Sequence, residues 1–294
     1  MWQPLLRNWL LGQARQKMRE AATQAASDAA GQARPAEKQA PPTQKPPVCN
    51  VGLVFALSVE AGGLVDRLSG AIRTEGSGFV AREGGLDGRR IVIVESGVGR
   101  ERAARATEAV ILGHKPRWIV SAGFAGALDE RLGRGDILMA DAIVDPKDRQ
   151  LAIDFKLQSE SAASSHLHVG RLLTVDRVIR DPAQKRDLGK RHGALAVDME
   201  SMAVAEVCRS EKVRFLSVRV IVDAVDQALP RDIDLLVKKK STAGRLGAAA
   251  GAILRRPSSI KDMWQLKEDA LVASERLAKF LVGVLGQLTQ KDEG

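Results

Sequence analysis

Short, apolar runs recur along the chain, each ending abruptly at a serine or an acid. Residues 51–57 read VGLVFAL, 91–95 IVIVE and 118–120 WIV; 215–222 reads FLSVRVIV, broken only by Ser217 and Arg219. Runs this short and this rich in β-branched residues predict strands covered on both faces. Residues 136–143, 171–174 and 194–197 also read as strands. Helical spacing fills the intervals. One helix begins at Val59 with Ser58 as its cap, an alanine-rich one runs to about 113, and one runs from 200 to about 209. Two more close the chain at about 232–254 and 262–288. The segments SGVG (96–99) and SAGFAG (121–126) read as tight glycine turns at strand ends. Strands alternating with helices predict an α/β fold, a mixed central β-sheet flanked by helices on both faces.

Ahead of this body, Trp2, Leu5, Leu6, Trp9 and Leu10 share one face of a predicted helix over 2–22, followed by Arg15, Lys17 and Arg19. Such a helix suits a membrane interface, or packing on its own domain or a partner. Residues 23–47, rich in Ala, Gln and Pro, read as a linker. The expected organisation is therefore an extension over 1–47, then a domain over 48–290 carrying a basic helical insert at about 238–262.

Charge sharpens that division. The net charge is +9, yet residues 1–48 carry +4 and 238–261 carry +7, leaving the rest slightly acidic. Two local basic segments point to contact with something anionic. Tyrosine is absent and aromatics are 3%, so single-strand stacking platforms, and nucleic acid as a partner, are not expected. An anionic membrane face, met peripherally, fits as well. No run is long and apolar enough to span a bilayer, and no secretory signal is visible, so the chain reads as cytoplasmic. Cys49 and Cys208 form no CxxC, and the HxH at 166–168 has no accompanying ligand cluster. No metal or organic cofactor is expected.

In α/β folds, sites gather at the carboxyl ends of strands. Here those ends bring three acids to one rim: Glu60, Glu200 and Asp223. Separated carboxylates suit glycosidic cleavage, where one protonates the leaving group and another activates water or steadies a cationic sugar. Each also has a plainer explanation. Glu60 and Glu200 could be helix-start acids favoured by the dipole, and Asp223 could shape a turn.

Five segments in order decide between these: ALSVE (56–60), SGVGR (96–100), SAGFAGA (121–127), VDME (197–200) and RVIVDAVD (219–226). Together they resemble the nucleoside phosphorylase superfamily, and within it most closely the methylthioadenosine/S-adenosylhomocysteine nucleosidases. The resemblance covers about 50–235 and part of the C-terminal helix. It implies that Asp223 protonates purine N7 as the base leaves, and that Glu60 activates the attacking water. It implies further that Glu200 accepts the ribose hydroxyls, Met199 packs under the sugar, and Ser96 and Gly97 line the water or phosphate side. Val178 and Ile179 would hold the base through the backbone. A small-molecule nucleoside substrate and a homodimer are implied too. Glu60 in the first loop would repel phosphate, which favours hydrolysis over phosphorolysis, although Arg100 lies near. Val222 stands where the family has a serine. The insert and N-terminal helix resemble, more loosely, the hopanoid-associated phosphorylase-like branch, which handles a nucleoside carried on a lipid. A non-catalytic nucleoside-binding protein on the same fold is the alternative of another class.

Overall fold

The computed structural model describes residues 49–76, 78–155, 166–229 and 259–290. By its contacts the chain divides into Met1–Pro46 and Pro47–Gly294, and every described residue belongs to the second unit. The predicted N-terminal helix and linker, the 232–254 helix and nearly all of the basic insert lie outside the described residues.

The elements run β1 (Val51–Phe55), α1 (Ser58–Val65), β2 (Ser69–Gly76), β3 (Phe79–Leu86), β4 (Arg89–Glu95), α2 (Arg100–His114), β5 (Trp118–Ala127) and β6 (Ile137–Val144). They continue β7 (Gln150–Ala152), β8 (Leu167–Thr174), α3 (Pro182–His192), β9 (Ala194–Asp198), α4 (Ser201–Ser210), β10 (Arg214–Asp223) and α5 (Ser259–Gln290). All described strands join one mixed sheet, as the apolar runs predict.

β5 is its spine. Along its first half it pairs parallel with β1, and along its whole length parallel with β10. At its far end Gly126 and Ala127 pair antiparallel with Val197 and Ala196 of β9. Because β10 also pairs with β6, β6 with β8 and β8 with β9, these five strands close a ring. From that ring an arm of β1, β4, β3 and β2 extends.

Both faces of the sheet are covered. α5 lays Leu277, Leu281, Val284, Leu285 and Leu288 against one face, an i, i+4, i+7, i+8 stripe, together with Ala61 and Leu64 of α1. On the opposite face α2 and α4 bring Ala103, Ala106, Val110, Val204 and Cys208 against Val54, Val92 and Ile119. β1 is buried along its entire length, as a strand with helices on both sides must be.

Several sequence expectations need correction. Residues 121–126 are not a turn but the second half of β5; their glycines serve close approach within a strand. Ser58 is the first residue of α1, whose N-cap is Leu57. The β2–β3 hairpin went unpredicted because β2 is exposed throughout and carries no apolar alternation. α3 was also missed, although Asp181 caps it by accepting from Gln184 N at 2.9 Å, Pro182 begins it and Gly193 ends it in the left-handed region. No described helix is long and apolar enough to cross a membrane.

Candidate active site

At the carboxyl ends of β1, β5, β9 and β10 lies a cavity of about 340 Å³, a volume suited to a small molecule. Its walls are largely apolar, with Leu57, Val59, Val98, Phe124, Val178, Ile179, Val222 and Leu229 among them. Its polar groups include Glu60, Glu200 and Asp223. The three acids singled out from sequence thus share one chamber. Met199, Val178 and Ile179 line it as well.

Glu60 stands at the third position of α1, where its carboxylate reaches back over the helix start. It accepts from Leu57 N at 2.8 Å and Ala56 N at 3.0 Å, and across the sheet from Phe124 N at 2.9 Å. So it is a capping acid and a cavity acid at once, and the two explanations do not compete. The approach requires Gly123: a Cβ there would stand 2.8 Å from Glu60 Oε1. Burial pushes the Glu60 pKa up, opposed by those N–H groups and by the Arg219 charge.

Glu200 is the N-cap of α4, and its Oε1 accepts from Gly99 N at 2.8 Å. Burial first, and then the neighbouring Asp198 charge, push its pKa up to about 8. Beneath it lies an ion pair the sequence reading did not anticipate. Arg219 Nη2 donates to Asp198 Oδ2 at 2.7 Å, and to Ser121 and Ser201 hydroxyls at 2.8 Å each. Asp198 also accepts from Thr174 Oγ1 at 2.7 Å and Ser201 N at 2.9 Å. Fully partnered, this network props the floor of the cavity between β5, β8, β9 and β10.

Ser96 lines a small recess with Glu60, Glu200 and Arg219. Its Oγ lies 2.9 Å from Gly97 O and 3.1 Å from Phe55 O, so its hydrogen is engaged by the main chain. Gly97 does not line the cavity; with φ at 79° it turns the loop between β4 and α2.

Asp223 ends β10. Burial raises its pKa, and Lys185, on α3, opposes that rise as its side-chain hydrogen-bond partner and as a charge. Lys185 is the partner of a cavity acid that the sequence reading missed most completely, since it sits on the helix that went unrecognised. A Cβ on Gly126 would come within 2.9 Å of Asp223 Oδ2, so this glycine is to Asp223 what Gly123 is to Glu60.

Arg100 faces Asp176 at 3.5 Å and Glu206 at 3.9 Å. His166 and His168 both face Asp136, at 2.7 and 3.2 Å, and no group of His, Cys, Asp or Glu among the described residues is arranged to hold a metal ion.

Comparison with known proteins agrees with this architecture. Residues 50–256 match the sequence model of the phosphorylase superfamily. The chain belongs to the phosphorylase superfamily. Among curated superfamily members, the 5′-methylthioadenosine/S-adenosylhomocysteine nucleosidase of Staphylococcus haemolyticus is 27% identical over 195 residues, 59% of this chain and 86% of the relative. That of an Exiguobacterium species is 27% identical over 214 residues, 65% and 92%. Among solved structures, the Neisseria meningitidis nucleosidase in complex with methylthio-immucillin-A superposes with a TM-score of 0.61 at 19% identity, covering 82% of this chain and all of the other. The Colwellia psychrerythraea nucleosidase in complex with adenine gives 0.59 at 21%, covering 82% and 96%. These superpositions establish the shared fold.

Proposed function

We propose that this chain hydrolyses the N-glycosidic bond of a purine, adenosine-type nucleoside and releases the free base. The observation that carries the reading is the meeting of Glu60, Glu200 and Asp223 in one largely apolar chamber. The nucleosidase relatives support it, as does the neighbour holding adenine. Residues 48–290 form the catalytic unit in this reading.

A purine leaves far more readily as a neutral base than as its anion. Asp223 is the group that delivers a proton to N7 while the bond to C1′ breaks. Positive charge then develops on the ribose, whose hydroxyls Glu200 holds, and the ionised form of Glu200 stabilises that charge. Met199 packs under the sugar, and the main chain at Val178 and Ile179 holds the base. Glu60 takes a proton from the attacking water. Its raised pKa makes it a better base than an exposed carboxylate, because burial penalises the charge it carries at rest. Ser96 orders the recess behind these acids, and Gly97 contributes through the shape of its loop.

Hydrolysis is favoured over phosphorolysis by what surrounds Glu60. Arg219, the one cation lining the recess it shares with Ser96 and Glu200 among the described residues, is engaged with Asp198. Arg100 faces two acids. The cation lining this recess is thus already paired, while two carboxyl groups line it, which disfavours a phosphate dianion there. A homodimer belongs to the reading, supported by exposed Leu271 and Val272 next to the cavity-lining Ala270; sedimentation velocity tests it.

The deciding experiment follows base release from methylthioadenosine, S-adenosylhomocysteine, adenosine and inosine, with and without phosphate. Free sugar formed without phosphate is expected. A sugar 1-phosphate formed only with phosphate would overturn hydrolysis, and no release from any of the four would move the substrate to a lipid-linked nucleoside or leave a binding protein.

A further inference from the structure

Lys185 is fully buried, on a helix that otherwise turns mostly charged residues to solvent. A lysine buried without a partner would shed its charge or unfold its surroundings. Here all three ammonium hydrogens have acceptors: the Asp223 carboxylate, Ala224 O at 2.9 Å and Gln227 O at 2.8 Å. Among the described residues no other donor reaches the Asp223 carboxylate, and its neighbour Val222 offers only an alkyl side chain. The other charged groups around this corner of the cavity include Arg134, which donates to Val222 O and to Asp269 of α5, Asp269 itself, and Arg177. Arg134 is thereby committed to its own partners, which leaves Lys185 as the proton carrier in contact with Asp223.

This geometry conflicts with a simple acid role. An acid that protonates the departing base must hold a proton, yet an ammonium at contact distance favours the ionised carboxylate. Resting on the proposed nucleoside cleavage, we infer that Lys185 is a positioning residue for base departure: the Lys185–Asp223 pair stores the proton, which leaves the ammonium, crosses the Asp223 carboxyl and ends on purine N7.

The balance closes. One N–H bond breaks at Lys185 and one forms at N7. The electron pair of the C1′–N9 bond stays with the purine, which departs neutral. Asp223 ends as it began, a carboxylate, and Lys185 is left a neutral amine. The attacking water gives its oxygen to C1′ and releases one proton. Glu60 takes that proton and yields it to solvent as the sugar leaves, and Lys185 regains one from solvent through Asp223, the only member of the pair that lines the cavity.

The test is the pH dependence of base release by the full chain, wild type against Lys185→Met, with thermal melting to verify that the variant folds. An ordinary ammonium holds its proton to a pH roughly six units above an ordinary carboxyl. Without Lys185 the proton rests on Asp223 alone, so the alkaline limb of kcat should move down by about two units or more. Activity at the acid end should stay within about tenfold of wild type, because a protonated Asp223 still serves there. Equal limbs in the two proteins would overturn the inference. Should Lys185→Met fail to fold, Lys185→Arg keeps the cation beside Asp223 but holds its proton too tightly to release it, so kcat should fall by about tenfold or more; a wild-type kcat in a folded Lys185→Arg would overturn the inference. Absence of base release from wild type would refute the nucleosidase reading separately. Infrared spectroscopy would then decide the pairing: the protonated-carboxyl band lost on Asp223→Asn should appear in Lys185→Met and be missing from wild type at neutral pH. Its presence in wild type would overturn the pairing.

Discussion

The cavity buries a carboxylate at each end, and the two are held in opposite ways. Glu60 is fixed by neutral main-chain N–H groups from the end of β1 and from β5. Asp223 is fixed by the ammonium of Lys185. Dipoles position a carboxylate without supplying a mobile proton, whereas an ammonium positions it and carries one. The Glu60 end is therefore equipped to take up a proton and the Asp223 end to give one away. That asymmetry is what hydrolysis of a glycosidic bond asks of two acids.

The largest expected effects come from removing each acid, and a leaving group can tell them apart. Asp223→Asn and Glu60→Gln should each lower kcat on a purine nucleoside by about 10²- to 10⁴-fold. Ligand binding, followed by calorimetry, should survive in both. A riboside with an activated leaving group, such as p-nitrophenolate, departs without protonation. It should restore turnover to Asp223→Asn and not to Glu60→Gln. Rescue of both, or of neither, would erase the distinction between the two ends. Because burial raises the Glu60 pKa, the acid limb of kcat should also lie above the ordinary glutamate value of about 4.3. An acid limb at or below that value would exclude Glu60 as the base.

The residues given these proposed roles were unevenly legible in the sequence. Glu60, Glu200 and Asp223 follow apolar runs that only buried strands explain, so their arrival at one rim could be read directly. The sheet and its helical cover were legible for the same reason, since β-branched runs and 3.6-residue spacing are local signals. What escaped was non-local. β5 looked like a strand followed by a turn because SAGFAG is rich in glycine; those glycines are there because two carboxylates from α1 and β10 press against them, a demand invisible in the segment itself. Lys185 lies in a polar stretch of mean character, and nothing along the chain says that its one buried face meets β10. The Asp181-Pro182 start and the Gly193 stop could have revealed α3, and with it a lysine placed to turn inward. The closed ring of β5, β10, β6, β8 and β9 depends on pairings between distant segments that no local pattern specifies.

The glycines offer a gentler way to probe the same asymmetry. Gly123→Ala would push a methyl group against Glu60 Oε1, and Gly126→Ala against Asp223 Oδ2. A displacement of a fraction of an ångström in a reacting group can cost on the order of ten- to a hundredfold. Gly123→Ala should slow purine nucleosides and the activated riboside alike. Gly126→Ala should slow only the purine nucleosides. Identical behaviour of the two variants would mean that the strand shifts as a unit and that neither glycine acts through its neighbouring acid.

The smallest effect is on stability, and it tests whether burial or charge dominates at the floor of the cavity. The Glu200 carboxyl is pushed up to about 8, chiefly by burial and then by Asp198, whereas in the unfolded chain it titrates near 4.3. Between those two values the folded protein holds a proton the unfolded chain has lost, so this group makes stability fall as pH rises through that window. Below about 4 both states are protonated and the effect vanishes. Glu200→Gln removes the titration while keeping an oxygen that can accept from Gly99 N. Its melting temperature should match wild type near pH 4 and exceed it at pH 8 by on the order of 10 °C. A gain that is constant with pH would place the benefit in packing. A loss at pH 8 would mean that the Arg219 charge beneath Glu200 outweighs both its burial and the repulsion of Asp198, and the resting charge of the sugar-facing end would then be anionic.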